Sequence, residues 1–136
     1  MKKNRIRSGM SIMLMLMLML FANYALAAMV TPYADTVFSS ARVSLSTQMD
    51  ASFTAQTKSK QAEIKVTSCI LQIKTESVWA DSMTLTAPSK VATNTSRYSA
   101  AKDYSSSCSS GNTYRIKAVF DADGHTKTAY SNSISY

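Results

Sequence analysis

The chain has 136 residues, of which 46% are hydrophobic and 17% are charged, with two cysteines, one histidine and a formal net charge of +7. A chain of this length holds one ordinary domain, which excludes a multidomain enzyme. It shows no sustained heptad pattern, which excludes a coiled coil.

Residues 1–27 have the organisation of a secretory signal peptide. Basic residues come first, an apolar run over Met10–Phe21 follows, and the small-residue sequence A-L-A ends the segment. The apolar run is about a dozen residues long, well short of the roughly 20 that span a bilayer. We therefore expect cleavage after Ala27 or Ala28 and no stable membrane span afterwards.

Cleavage after residue 27 changes the charge of the protein. It leaves 136 − 27 = 109 residues and removes four of the 15 basic groups but none of the eight acidic ones, so the net charge becomes 11 − 8 = +3. The mature protein is expected to be secreted into the extracellular space, or periplasmic if the source has an outer membrane.

The mature chain begins with an extended segment over 28–40, and a single domain is expected over 41–136. Alternation of apolar and polar residues predicts a half-buried strand over Arg42–Met49. The longest apolar stretch, Ala62–Thr75, changes parity near Thr67, which indicates a bulge or a short turn.

The second half of the domain shows the same alternation. Val78–Ala87 predicts a strand that contains a buried Trp79. Ser89–Gly111 is rich in Ser, Thr and Asn, which predicts a loop with a short edge strand around Arg97–Ala100. Tyr114–Tyr136 predicts a hairpin whose Asp-Ala-Asp-Gly sequence forms a four-residue type I turn with a bulge.

These elements predict an all-β domain. Six or seven short strands in about 100 residues favour an antiparallel β-sandwich over a closed barrel. No segment offers the i, i+3, i+4, i+7 spacing of an amphipathic helix over three turns.

The cysteines, Cys69 and Cys108, are expected to form a disulfide bond with each other, because export places thiols in an oxidising environment. Closing a loop of about 40 residues would stabilise the fold by roughly 4 kcal/mol. Two free or intermolecular thiols remain the alternative.

The last hairpin carries a resemblance to a known family. The sequence over 114–124, followed by Tyr-Ser-Asn over 130–132, resembles the final hairpin of fibronectin type III domains. The whole chain loosely resembles small secreted bacterial proteins of unknown function that pair a signal peptide with one immunoglobulin-like sandwich. The resemblance implies an immunoglobulin or fibronectin III fold and supplies no functional residue.

The chain lacks a recognisable catalytic constellation, and we expect neither an enzyme, a cofactor nor a metal. His125 is the only histidine and lies beside the predicted turn. Asp121, Asp123 and Gly124 resemble the start of a calcium loop, but the required third oxygen ligand and distal Glu are missing. Glu63 with Glu76 or Asp81 could form a glycosidase pair only at a separation that sequence cannot establish.

A basic surface that includes tyrosines is the candidate binding site. Such a surface can hold anionic polymers, and export disfavours nucleic acid as the partner. We expect a non-enzymatic domain that binds an extracellular protein or an envelope polymer; the alternative is a small cationic effector, antibacterial or inhibitory, acting on an anionic envelope. The candidate surface residues are Arg97, Tyr98, Tyr104, Arg115, Lys117 and Tyr130.

Overall fold

The computed structural model describes residues 37–136, so the predicted signal peptide and most of the expected extended segment lie outside the described residues. This part is all-β, with 73% of it in strands and no α-helix. No helix in it is long and apolar enough to cross a membrane. The first strand begins at Phe38, inside the expected extended segment.

The strands form one antiparallel sheet that curls into a half-barrel. The sequence predicts two packed sheets, whereas all of the strands described here belong to a single hydrogen-bonded sheet. Their bounds are β1 Phe38–Leu45, β2 Asp50–Thr75, β3 Val78–Leu85, β4 Val91–Asp103, β5 Thr113–Ala122, β6 His125–Tyr130 and β7 Ile134–Ser135.

The 26-residue strand β2 is the spine of the sheet. Its first half pairs with β1 on one edge and with β4 on the other. Its second half pairs mainly with β5 on the first edge and with β3 on the second. Strand β6 extends the sheet beyond β5, and β7 pairs with the start of β5.

Two hydrogen-bonded contacts hold the curl at its margins. Beside β1, the Asn132 side chain accepts a bond from the backbone N–H of Leu45 at 2.9 Å and donates one to the Leu45 carbonyl at 2.9 Å. On the opposite side, the Tyr104 hydroxyl donates to the Thr86 carbonyl at 2.8 Å. Each contact satisfies backbone groups at a strand end, where the ladder stops.

The inward face of β2 changes parity twice, so one strand serves both halves of the core. Odd residues from Ala51 to Thr57 are buried, then Ile64 and Val66, then Cys69 and Leu71. The second change lies at the Val66/Ser68 register shift, where the sequence predicts a bulge, and this prediction is confirmed. The first lies between Gln56 and Gln61, where the β4 register also shifts.

The concave side of the half-barrel is filled with apolar side chains. Phe53 packs edge-to-face on Tyr104, and Phe120 packs edge-to-face on Tyr98, with ring centroids 6.5 and 6.1 Å apart. The largest fully buried side chains are Phe53, Phe120, Met49, Ile64, Leu71, Ile116 and Cys69.

Two sequence predictions about elements are wrong. The stretch predicted as a loop contains β4, which is 13 residues long. It is an edge strand in which only a few residues are buried and most of the others are polar. The last hairpin turns through Asp123 and Gly124 alone, with φ of 49° and 87°. Two successive positive φ values are typical of a two-residue type I′ turn. The hairpin therefore has this turn in place of the predicted four-residue type I turn with a bulge.

Candidate functional site

The convex face of the half-barrel carries a cluster of aromatic and cationic side chains over its second half. The Arg115 guanidinium carbon lies 4.4 Å from the ring centroid of Trp79 and 4.6 Å from that of Tyr130. Both separations fall within the range of a cation–π interaction, worth about 0.5 to 2 kcal/mol each. We call Arg115 and these two rings the Arg115 platform.

A buried glutamine fixes the guanidinium from below. The Nε of Arg115 donates to the side-chain carbonyl of Gln72 at 2.7 Å, and the Gln72 amide donates to an Asp81 carboxylate oxygen at 2.5 Å. The three residues form one row across β3, β2 and β5, since Gln72 pairs with both Asp81 and Arg115. Gln72 therefore sets the direction of the guanidinium and lies between it and the Asp81 carboxylate.

The strand order brings the two rings to Arg115 from opposite sides. Trp79 lies on β3 and Tyr130 on β6, with β2 and β5 between them. A register shift between Leu71 and Gln72 in the β2–β3 pair turns Trp79 to the convex face. The prediction of a buried Trp79 is wrong for this reason: the shift changes which parity of β3 faces the core.

Two lysines add positive charge beside the platform. Lys117 pairs directly with Tyr130 in the β5–β6 ladder, and Lys74 pairs with Trp79 in the β2–β3 ladder. Within residues 37–136 the one ion pair is formed by Lys65 and Glu63. No carboxylate of this part of the chain therefore forms an ion pair with Arg115.

The platform is suited to holding an anion. Guanidinium N–H groups lie in the plane of the group, so rings over its faces leave its edge donors accessible. The Nε donor is used by Gln72, which leaves the terminal N–H groups for an external oxyanion. A carboxylate or phosphate can accept two parallel bonds from such an edge.

The structure brings together three of the predicted surface residues, Arg115, Lys117 and Tyr130, on one face. Tyr98 and Tyr104 do not belong to a surface: each is only 3% exposed. Tyr98 lies on the inward side of β4, a strand within the stretch that the sequence predicts as a loop, and Tyr104 follows directly after this strand. Tyr98 faces the small Ala55 across the β2–β4 ladder, which leaves room for its ring.

Arg97 is exposed but lies apart from the platform. It pairs with Gln56, on the first half of β2. The platform pairs with the second half of the same strand. The predicted surface is therefore divided between two places on the convex face.

The expected disulfide is not formed. Both cysteines are free thiols, with Cys69 in the core and Cys108 half-buried at its margin. Burial raises the pKa of both thiols, and the Tyr104 hydroxyl is a neighbour of the Cys69 thiol. Export and loop length favour a disulfide but do not determine whether two Cβ atoms meet. The protonated thiols are poor nucleophiles.

The carboxylates near the last turn have structural partners. Asp123 accepts bonds from the backbone N–H groups of Ala62 and Glu63 at 2.8 and 2.9 Å. Its two oxygens thereby tie the turn to the irregular middle of β2.

No group of three metal-ligating side chains occurs in the part of the chain that the structure describes. His125 is exposed beside the turn.

Two members of the site were missed by sequence reasoning. Gln72 lies within an apolar stretch, where a lone polar residue on a strand is a signal of a specific hydrogen-bonded role. Trp79 was assigned to the core by alternation alone.

No protein-family model matches the chain, and no match was found among curated proteins or among solved structures.

Proposed function

We propose that this protein is a secreted, non-enzymatic binding domain that holds an oxyanion of an envelope polymer on the Arg115 platform. The observation that carries the proposal is a guanidinium lying over two aromatic rings with no carboxylate partner in residues 37–136. An unpaired, immobilised cation on an exposed face is poised for an external anion.

Preorganisation supports this assignment. A free arginine side chain loses conformational entropy worth up to about 2 kcal/mol when a ligand fixes it. Arg115 is already fixed by Trp79, Tyr130 and Gln72, so much of that cost falls on folding rather than on binding. The half-exposed Tyr130 ring, 49% accessible, adds a flat contact for the polymer backbone.

The charge around the platform supports a polymer rather than a single ion. Lys74 on β2 and Lys117 on β5 pair with the two rings in the strand ladders, so that with Arg115 they form a short cationic row over two adjacent strands. Repeated oxyanions along a chain can contact such a row at several points. Each added contact raises the overall affinity through effective concentration.

An immunoglobulin or fibronectin III-like origin of the fold is part of the proposal. The alternating Tyr114-to-Phe120 strand and its return through Asp123-Gly124 form the tight terminal hairpin that suggested this resemblance. By analogy with such sandwiches, the ligand would be expected to bind at the loops. The Arg115 platform is instead formed by residues of the strands.

The test is retention of the purified protein on isolated cell envelopes across a salt series. Wild-type protein should be retained at physiological salt, and Arg115→Ala should reduce the bound fraction about tenfold at equal protein concentration. Arg115→Lys should recover little of this, since an ammonium keeps the charge but loses the planar edge and much of the stacking.

Two controls separate the platform from general charge and from toxicity. Lys60→Ala removes the same charge at the exposed middle of β2 and should leave retention within twofold. Unchanged retention of Arg115→Ala would overturn the assignment of the platform. Salt-sensitive loss of viability in treated cells would instead favour the cationic effector.

A further inference from the structure

A second cationic surface lies on the convex face over the first half of β2. Arg42, Lys90 and Arg97 line an open groove of about 660 Å³ whose floor includes Ser40, Thr54 and Ser99. We call it the β4 groove.

The register explains how the groove forms. Arg42 on β1 pairs with Thr54, and Thr54 pairs with Ser99 on β4. Two residues further along β2, Gln56 pairs with Ser40 of β1 and with Arg97 of β4. Since alternate residues share a face, the two guanidinium side chains lie on opposite edges of a floor made of short hydroxyl side chains and Gln56.

The groove continues toward Ser52. A neighbouring depression shares Lys90 and Ser99 with it and adds Ser52 to its lining. The convex-face cations of the two depressions are Arg42, Lys90 and Arg97, and their lining among the described residues includes no carboxylate. None of these cations forms an ion pair within residues 37–136.

Acidic residues mark one end of the surface. Asp50 pairs with Asp103 in the β2–β4 ladder, two residues beyond Ser52. The Asp103 carboxylate accepts a bond from the backbone N–H of Ser105 at 2.7 Å, which holds the pKa of that carboxyl below its usual value. A polyanion would be repelled at that end and would extend toward Arg97.

We propose that the β4 groove binds a phosphate-bearing polymer, independently of the Arg115 platform. Two guanidinium groups, an ammonium group and several hydroxyl donors surround one floor. A phosphate group presents more acceptor oxygens than a carboxylate and can use donors from several directions. The serine and threonine hydroxyls supply these without adding charge.

The experiment follows fluorescently labelled inorganic polyphosphate by anisotropy, with the full chain carrying Arg115→Ala so that the platform does not contribute. This protein should bind polyphosphate, and adding Arg42→Ala with Arg97→Ala should weaken binding at least about tenfold. Lys60→Ala in the same background is the charge-matched control and should change affinity less than about twofold.

A second variant guards against a folding defect. Arg42→Lys with Arg97→Lys keeps the charge, and its binding should lie between those of the parent and the double alanine variant. Thermal unfolding should be the same for all groove variants, because both arginines are exposed.

Polymer competition tests the choice of phosphate. Unlabelled polyphosphate should displace the probe at a lower charge concentration than polygalacturonate or dextran sulfate. Equal displacement by polygalacturonate would overturn phosphate selectivity, and undiminished binding by the double alanine variant would overturn the groove. Neither result bears on the platform, whose own test uses Arg115→Ala alone.

Discussion

The two halves of the convex face carry positive charge in different ways. On the second half of β2, Arg115 lies over Trp79 and Tyr130 and is bonded to Gln72. On the first half, Arg42 and Arg97 are exposed beside hydroxyl side chains, and neither has an aromatic partner within residues 37–136. The same type of cation is therefore held by neighbouring side chains at one end of the strand and exposed to solvent at the other.

This difference predicts that salt weakens binding to the two surfaces to different extents. A fixed guanidinium loses little conformational entropy on binding, so each contact made by Arg115 contributes more free energy. Exposed cations gain mainly through long-range attraction, which salt screens over about 10 Å at 0.1 M. We expect the platform to be the less salt-sensitive of the two surfaces.

The largest effect should come from the core that joins the two halves. Phe120 is fully buried and packs edge-to-face on Tyr98 of β4. Phe120→Ala should lower the free energy of unfolding by about 3 to 5 kcal/mol, and both surfaces should be lost together. Urea unfolding followed by the fluorescence of Trp79, the only tryptophan, measures this.

The matched control for that variant is Val119→Ala. Val119 is half-buried on the opposite face of β5, so the loss should be about 1 kcal/mol or less. Equal destabilisation by the two substitutions would contradict the assignment of the concave side as the core.

The next largest effect compares two glutamines of β2. Gln72→Leu leaves the Arg115 Nε and an Asp81 oxygen without their partner, which should cost about 1 to 3 kcal/mol of stability. The same change at exposed Gln56 should stay within about 0.5 kcal/mol. Chemical denaturation measures both variants.

Retention on cell envelopes gives a second test of the role of Gln72. Gln72→Leu should also weaken retention on envelopes, whereas Lys60→Ala, at the exposed middle of β2, should leave it within twofold. Loss of stability at position 72 without loss of retention would show that Gln72 supports the fold but does not orient the guanidinium.

Alkaline pH should destabilise the core between the halves. Burial raises the pKa of Tyr98, Tyr104 and Cys69 above their ordinary values of 10.0, 10.0 and 9.0. The folded state therefore keeps protons that the unfolded state releases, so stability is full below pH 9 and falls as pH rises above it. From its ordinary pKa up to its raised pKa in the folded state, each group contributes a slope of up to about 1.4 kcal/mol per pH unit.

Tyr104→Phe removes one of these groups. Its free energy of unfolding should fall less steeply between pH 10 and 11 than that of the parent, as measured by urea unfolding at each pH. Parallel slopes would show that the Tyr104 hydroxyl ionises equally in both states.

Sequence predicted the parts of the fold in which one face is continuously buried. In β5 every second residue from Tyr114 to Ala122 is buried, and this strict alternation made the strand readable. In β4 the fully buried side chain is Tyr98 alone, and the polar residues around it resemble a loop. An edge strand with so few buried positions carries too weak a pattern to be distinguished from a loop.

The site was predictable only where its residues lie on strands with a clear alternation of buried and exposed residues. Arg115, Lys117 and Tyr130 follow from the alternation of the last hairpin. Trp79 depends on an extra residue in β3 opposite Leu71 and Gln72, and sequence does not show where a strand gains one. Local pattern therefore identifies which residues share a strand face, whereas bulges determine which strands share a site.

The smallest expected effect distinguishes Tyr98 of β4 from Tyr104, the residue after this strand. The Tyr98 hydroxyl is buried without a hydrogen-bond partner in the described part of the chain, whereas the Tyr104 hydroxyl donates to Thr86. Tyr98→Phe removes a desolvated group that gains nothing, so it should raise the free energy of unfolding by up to about 1 kcal/mol. Tyr104→Phe leaves the Thr86 carbonyl unpaired and should lower it by about 1 kcal/mol. Because both rings stay in place, opposite signs in urea unfolding isolate the hydroxyls, and a loss at Tyr98 would mean that its hydroxyl is satisfied in solution.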